Sequence, residues 1–321
     1  MRARLDRPPV DAQSLDLLID VATRHYLHGS SQIEIARDLG LDPSTISRYL
    51  KRARDEGVVK IDIVTPPRPN VELGRQLASR FGLGRAIVAA VPADEEVEPV
   101  EIVARVAAEF VSDQLRRGSR VGIGWGETIA AVVRNLDPGV VSELQVAQLA
   151  GGLADAAPGI QGHELARRLT EIYPDSRATY LHAPSIVDSQ ALCDALLADR
   201  SVQAALATAA QCEIALVGIG NMDRDATLLT ASHILSADRD ALIAKGAVGS
   251  MNSRFFDADG QPVGHLDRRT VAIEWVTLAA IPQVIAIAAG STKAAAIRAA
   301  SWSGSIDVLI TDEATAAAIL A

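Results

Sequence analysis

Cysteine and aromatic side chains are scarce in this chain. Two cysteines, Cys193 and Cys212, occur in 321 residues. They form no disulfide framework and show no metal-ligand spacing. Both stand in apolar or helical surroundings and are expected to be buried thiols of a protein from a reducing compartment. Aromatics are 3% of the chain while hydrophobic residues reach 49%, so any core is largely aliphatic. No apolar run approaches the roughly 18 residues of a membrane span; the longest candidate, 284–289, has the length of a strand. The N-terminal MRARLDRPPVDAQS lacks the apolar stretch of a secretory signal. A cytoplasmic protein without membrane contact is expected. No solenoid repeat is present.

Positive charge is also short, with a net charge of −9, which at first argues against a nucleic-acid partner. Residues 1–65, however, hold ten basic and ten acidic residues, so all of the excess acid lies beyond them. Arg48, Lys51, Arg52 and Arg54 place four cations within seven residues. Local charge rather than the total sets an electrostatic footprint. A neutral module binds DNA modestly as one copy, so an oligomer, a dimer or a tetramer, is expected.

The residues around that cluster form a pattern. Ser31 and Glu34 fit a capping box, and Ile33, Ala36 and Leu39 follow at helical spacing. Gly40 supplies a left-handed stop. Asp42 and Pro43 then serve as N-cap and first residue of a second helix, whose buried face is Ile46, Leu50 and Ala53. Gly57 ends it, and VVKIDIV (58–64) has the composition of a wing. Upstream, Leu15, Leu18, Ile19, Ala22 and Tyr26 mark an amphipathic helix over 14–28 that closes a three-helix core. An ordinary helical hairpin is the competing reading. The coincidence of caps, short turn, N-terminal hydroxyls and basic cluster favours a DNA-reading helix-turn-helix. The candidate DNA-contacting residues are Ser31, Ser44, Thr45, Ser47, Arg48, Lys51 and Arg52. The hydroxyls of the second helix lie nearest the bases and the cations meet the phosphates.

Three prolines within 65–70 make a stiff linker, which divides a DNA-binding domain over 1–64 from a larger domain over 71–321. Beyond it, apolar strands at 85–91, 119–125, 143–152, 177–183, 212–220, 283–290 and 306–312 alternate with helices. That alternation predicts an α/β fold with a doubly wound, mainly parallel sheet covered on both faces. Four of these strands end in glycines: Gly122-x-Gly124-x-Gly126-x-Thr128, Gly151-Gly152, Gly218-x-Gly220 and Gly290, the last followed by Ser291, Thr292 and Lys293. Ligands of open parallel sheets bind at the carboxyl ends of strands, and glycine lets backbone N–H groups approach an anion closely. Any one such loop is ordinarily a tight turn; four on one edge point to a site for a small phosphorylated metabolite. The first loop is neither a dinucleotide fingerprint nor a P-loop, so NAD and ATP are disfavoured and no cofactor is expected. Lys293 suits a phosphate or hydroxyl, and Asp257 suits either sugar hydroxyls or a turn before Asp259-Gly260. His163, His182, His233 and His265 show no metal spacing, and no metal site is expected. Asp312-Glu313 reads as a helix cap.

Over nearly its whole length the chain resembles the SorC family of sugar-binding bacterial transcriptional regulators. The stretches that carry the likeness are SQIEIARDLGLDPSTISRYLKRARDEGVVKI, VGIGWGETI, QLAGG, GAVGSMNSRFFDADG and IAAGSTKAAAIRAA with VLITDEATA. The resemblance implies a winged helix-turn-helix joined to an effector domain with the glucosamine-6-phosphate deaminase and ribose-5-phosphate isomerase fold. It also implies a sugar or sugar-phosphate effector, operator double-stranded DNA and a tetramer as partners, and no enzymatic activity. Carried over by position, it assigns Gly124, Gly126, Thr128, Gly151, Gly152, Gln161, Asp257 and Lys293 to the effector. Ala150 departs from members that place a polar or basic group there. The expected function is control of a carbohydrate or polyol operon. The alternative is a sugar-phosphate isomerase or deaminase with an added helical module, for which Asp257 and a histidine are the only plausible acid–base pair.

Overall fold

The chain divides into two units, Met1–Pro66 and Pro67–Ala321. The structure, a computed structural model, describes residues 12–60, 69–90, 98–137, 139, 141–232 and 234–321.

The first unit contains helices α1 (Ala12–Tyr26), α2 (Gln32–Leu39) and α3 (Pro43–Asp55). The Ser31 hydroxyl accepts from the Glu34 N–H at 3.2 Å while the Glu34 carboxylate accepts from the Ser31 N–H at 2.8 Å, a reciprocal capping box. Gly40 ends α2 at φ +65°, a conformation costly for a residue with a Cβ. Asp42 occupies the N-cap position of α3 without a side-chain capping bond, and Pro43 starts the helix. Leu18, Val21, Ala22, Ile35, Ala36, Ile46, Leu50 and Ala53 are buried. Two expectations about this core need correction. Ile33 is 63% exposed and Ile35 replaces it, because Ile35, Ala36 and Leu39 share one arc of α2 that excludes position 33. In α1, Leu15 and Ile19 face outward and Val21 joins Leu18 and Ala22 inside. Of the expected wing, 61–64 lies outside the described residues, as does 65–68 of the expected linker.

The second unit runs α4 (Val71–Phe81), β1 (Arg85–Ala89), α5 (Pro99–Gln114), β2 (Arg120–Ile123), α6 (Glu127–Asn135), β3 (Gln145–Gln148), α7 (Gly162–Ile172) and β4 (Arg177–Thr179). There follow α8 (Gln190–Ala198), α9 (Arg200–Ala209), β5 (Ile214–Gly218), β6 (Gly220–Asn221), α10 (Thr227–Ala231), α11 (Ser236–Ala244), β7 (Ala247–Met251) and β8 (Arg254–Asp257). The unit closes with α12 (Trp275–Ala279), β9 (Gln283–Ile287), α13 (Ala294–Trp302), β10 (Val308–Asp312) and α14 (Glu313–Leu320).

Seven strands form one sheet in the order β1-β10-β9-β5-β2-β3-β4, parallel at every pairing. Successive residues of one strand enter different cores. Val308 and Ile310 pack with α5 and α6, including Val103, Val106 and Ile129. Leu309, between them, packs with Leu77, Ile297 and Ile319 of α4, α13 and α14. Covering both faces is why the strands read as unbroken apolar runs. Fully burying one such aliphatic side chain is worth about 1.5–3 kcal/mol.

From β2 the chain winds outward through β3 to β4; it then returns to β5 on the other side of β2 and winds away through β9 and β10. The connections therefore diverge between β2 and β5 and leave a crevice at their carboxyl ends. Between β5 and β9 the chain inserts a small antiparallel sheet, β6-β7-β8, over a core that includes Leu228, Leu242, Phe255 and Leu266. No helix among the described residues is long and apolar enough to cross a membrane.

Candidate functional site

A cavity of about 330 Å³ opens at the β2/β5 crevice. One wall is the start of α6: Gly126 with φ +116° as its N-cap, then Glu127, Thr128 and Ile129. No side chain among the described residues caps this helix, so its first-turn N–H groups remain available to an anion. A second wall is the segment after β5, from Gly218 to Asn221. Thr292 and Lys293, beyond β9, form the third. Burial pushes the Lys293 ammonium below its ordinary pKa, and the Glu127 carboxylate works against that shift. The tip of the β7–β8 hairpin, Asn252 and Ser253, closes the floor, and Asp223 and Asp225 stand at the exposed side.

Of the residues assigned to the effector from sequence, Gly126, Thr128 and Lys293 meet in this cavity. Gly124 sits beside it; a Cβ there would lie 2.9 Å from Asn252 Oδ1. The other four are placed elsewhere. Gly151 is a packing glycine, since a Cβ would come within 2.5 Å of the Ala183 carbonyl oxygen. Gly152 lines two neighbouring hollows near β4 rather than this one. Gln161 spends its amide on the backbone of Leu153, donating to the carbonyl at 2.7 Å and accepting from the N–H at 3.0 Å; it braces the loop whose Ile160 carbonyl accepts from Gly126 N–H at 3.0 Å. Asp257 ends β8 and is not among the residues that line this cavity. Its Oδ1 accepts from the N–H groups of Asp259 at 3.0 Å and Gln261 at 2.9 Å.

In the first unit, Ser44, Ser47, Arg48 and Lys51 are exposed on α3 and Thr45 is half-buried. Arg48 donates to the Thr45 hydroxyl at 3.3 Å, and Arg52 pairs with Glu56 at 2.7 Å. Ser31 uses its hydroxyl as the α2 cap, which leaves it a structural role there.

The comparisons agree with both units. Residues 66–321 match the sugar-binding domain family, and residues 29–60 match a winged helix-turn-helix DNA-binding family. The chain belongs to the SorC family of sugar-binding transcriptional regulators. It is 30% identical over 312 residues to the deoxyribonucleoside regulator of Bacillus subtilis, covering 97% of this chain and 99% of that one. It is 32% identical over 311 residues to the transcriptional regulator LsrR of Klebsiella pneumoniae, covering 95% and 93%. The full-length sorbitol operon regulator SorC of Klebsiella pneumoniae superposes with a TM-score of 0.73 at 26% identity, covering 97% of this chain and all of the other. This SorC-family chain is a DNA-binding transcriptional regulator.

Sequence reasoning missed part of the SorC-type cavity: Trp125, Asn221, Asp223, Asp225 and the Asn252–Ser253 turn. The turn had a usable signal, an Asn-Ser pair between GAVGSM and RFF, where a two-residue hairpin favours Asn at positive φ. Asp223 and Asp225 had none, because their place depends on how the inserted segment folds back over the crevice.

Proposed function

We propose that this SorC-family regulator binds a phosphorylated sugar or polyol in the β2/β5 cavity and that this binding alters its affinity for operator DNA. One observation carries the reading. Two separate crossovers, after β2 and after β9, deliver an uncapped helix N-terminus with Thr128 and a half-buried lysine to one hollow at the topological switch point. Phosphate oxygens accept from the α6 N–H groups and the Thr128 hydroxyl, and Lys293 supplies the charge. The relatives named for deoxyribonucleosides and the sorbitol operon support the ligand class.

The output is α3 in the major groove, with Ser44, Thr45 and Ser47 toward base edges and Arg48, Lys51 and Arg52 toward phosphates. We place the boundary between reader and sensor within 65–70. The neutral reader requires at least a dimer, and the setting is the cytoplasm. An effector shifts DNA binding only by the difference in its affinity for the DNA-competent and DNA-incompetent states.

The test is titration of the full chain onto its own upstream DNA at several salt concentrations, with and without sugar monophosphates. Arg48→Ala is expected to weaken binding and lower the salt slope by about 1. Thr128→Ala is expected to leave DNA affinity intact and abolish its response to the metabolite. DNA binding that ignores every sugar phosphate refutes the effector assignment.

A further inference from the structure

The β7–β8 hairpin turns through Asn252 and Ser253, between the paired residues Met251 and Arg254. Both turn residues have positive φ, +50° and +63°, in the two-residue geometry that glycine fills best at its second position. Ser253 there is strained. Both are also nearly inaccessible, at 7% and 1% exposure, whereas hairpin tips normally face solvent. Their side chains do not repay the burial internally: among the described residues Asn252 Nδ2 and Ser253 Oγ have no hydrogen-bond partner, and neither does Trp125 Nε1 in the same cavity lining. An unpaired buried polar group costs stability, so three on residues lining one cavity are a cost without an internal return.

The surroundings hold this conformation. Arg254, next in sequence, donates to the carbonyls of Ile273 at 2.8 Å and Ala272 at 3.1 Å and pairs with Asp267 at 3.2 Å. Gly124 has no side chain to block Asn252. Strain that neighbouring structure maintains, with unpaired polar atoms on residues that line a cavity, is characteristic of a ligand site.

We propose that the Asn252–Ser253 turn is the specificity-determining element of the cavity and reads the hydroxyl and carbonyl oxygens of the effector's carbon chain, away from its phosphate. This rests on the effector reading given above. Asn252 Nδ2 and Trp125 Nε1 donate, and Ser253 Oγ donates or accepts. Among the described lining residues Lys293 is the cation, against Glu127, Asp223 and Asp225. That balance suits one phosphate and a hydroxylated tail, and a second phosphate would meet acids.

The experiment uses the full-length chain, with affinities for inorganic phosphate, glycerol 3-phosphate and a set of pentose and hexitol monophosphates, and the ligand-free melting temperature. Asn252→Gly and Ser253→Gly remove the polar atoms and relax the turn. Both are expected to raise the ligand-free melting temperature, weaken the best hydroxylated monophosphate about tenfold and leave inorganic phosphate unchanged. Asn252→Asp, which keeps the shape but loses the donor, is expected to change the rank order of the set. Thr128→Ala weakens every phosphate, inorganic phosphate included. Glycine variants that melt lower, fail to fold or bind the set as the unaltered chain does overturn the proposal. An unaltered chain that binds no member of the set overturns the effector reading itself, and this proposal with it.

Discussion

Asp312 ties the end of β10 to the loop that carries Lys293, and removing its carboxylate is expected to damage both stability and effector binding. The residue is 1% exposed. Its Oδ1 accepts from Thr315 N–H at 2.8 Å, capping α14. Its Oδ2 accepts from Thr315 Oγ1 at 2.6 Å and from Gly290 N–H at 2.9 Å. Asp312→Ala deletes the cap, worth about 1 kcal/mol. It also leaves the buried Thr315 hydroxyl and the Gly290 N–H unpaired, at roughly 1 kcal/mol or more each. The sum is about 3 kcal/mol, which for a unit of this size lowers the melting temperature on the order of 10 °C. Asp312→Asn keeps a good N-cap oxygen but can turn an NH₂ toward two donors, so about 2 kcal/mol is expected to be lost. Gly290 has φ +102° and opens the Ser291–Lys293 turn; without its anchor the lysine loop loosens. Denaturant unfolding followed by effector titration measures both effects. A loss below about 1 kcal/mol for Asp312→Ala, or effector affinity unchanged in Asp312→Asn, refutes the coupling.

Lys293→Met is expected to weaken a phosphorylated effector roughly ten- to a hundredfold, the range of a charge-assisted hydrogen bond, and to change the pH dependence of ligand-free stability. The folded pKa of Lys293 lies below its ordinary 10.5, so between the two the unfolded chain binds more protons and stability rises with pH. The contribution is complete above 10.5 and lost as pH falls through the folded value; the methionine variant should flatten that slope in alkaline melts. Ile35→Ala should cost the first unit about 2–5 kcal/mol, whereas Ile33→Ala should stay within about 0.5 kcal/mol; equal losses in thermal unfolding would contradict the packing of α2. Cys212, which burial pushes up to about 12, and buried Cys193 should resist iodoacetamide at neutral pH until denaturant is added, as mass spectrometry will read.

The elements of the parallel sheet were legible because each strand is buried on both faces, so its apolar run survives in the sequence without tertiary information. Helix boundaries were legible where a chemical stop exists, as at Ser31 and Gly40. Where the sequence offered two candidate faces, the choice failed: Ile33 and Ile35 are both apolar, and only docking against α1 and α3 selects the second. The site divided in the same way. Gly126, Thr128 and Lys293 follow strand ends directly, and strand-end position is a local property. Gln161 and Asp257 are also polar, yet each bonds to a nearby backbone loop, and hydrogen-bond accounting of that kind needs coordinates. The Asn252–Ser253 turn went unread because burial of a hairpin tip contradicts what turn residues ordinarily signify.

The glycine-ended strands show how one composition serves two physical ends. Gly122 and Gly151 lack side chains because neighbours occupy the space: a Cβ would stand 2.5 Å from Leu149 Cδ2 in one case and 2.5 Å from the Ala183 carbonyl oxygen in the other. Gly126 and Gly290 have room for a Cβ, with no neighbour closer than the Thr292 hydroxyl, 4.0 Å from Gly290, but need φ of +116° and +102°. The first pair lets the layers close around β2 and β3. The second pair turns the chain sharply into α6 and the lysine loop, so that N–H groups and Lys293 reach the same hollow. Replacing a packing glycine therefore disturbs the sheet beneath the cavity, while replacing a turning glycine re-aims the cavity walls above a sheet left intact. The two kinds occupy different positions, so a sensor of this design can alter its ligand preference at the turns and keep its fold at the packing positions.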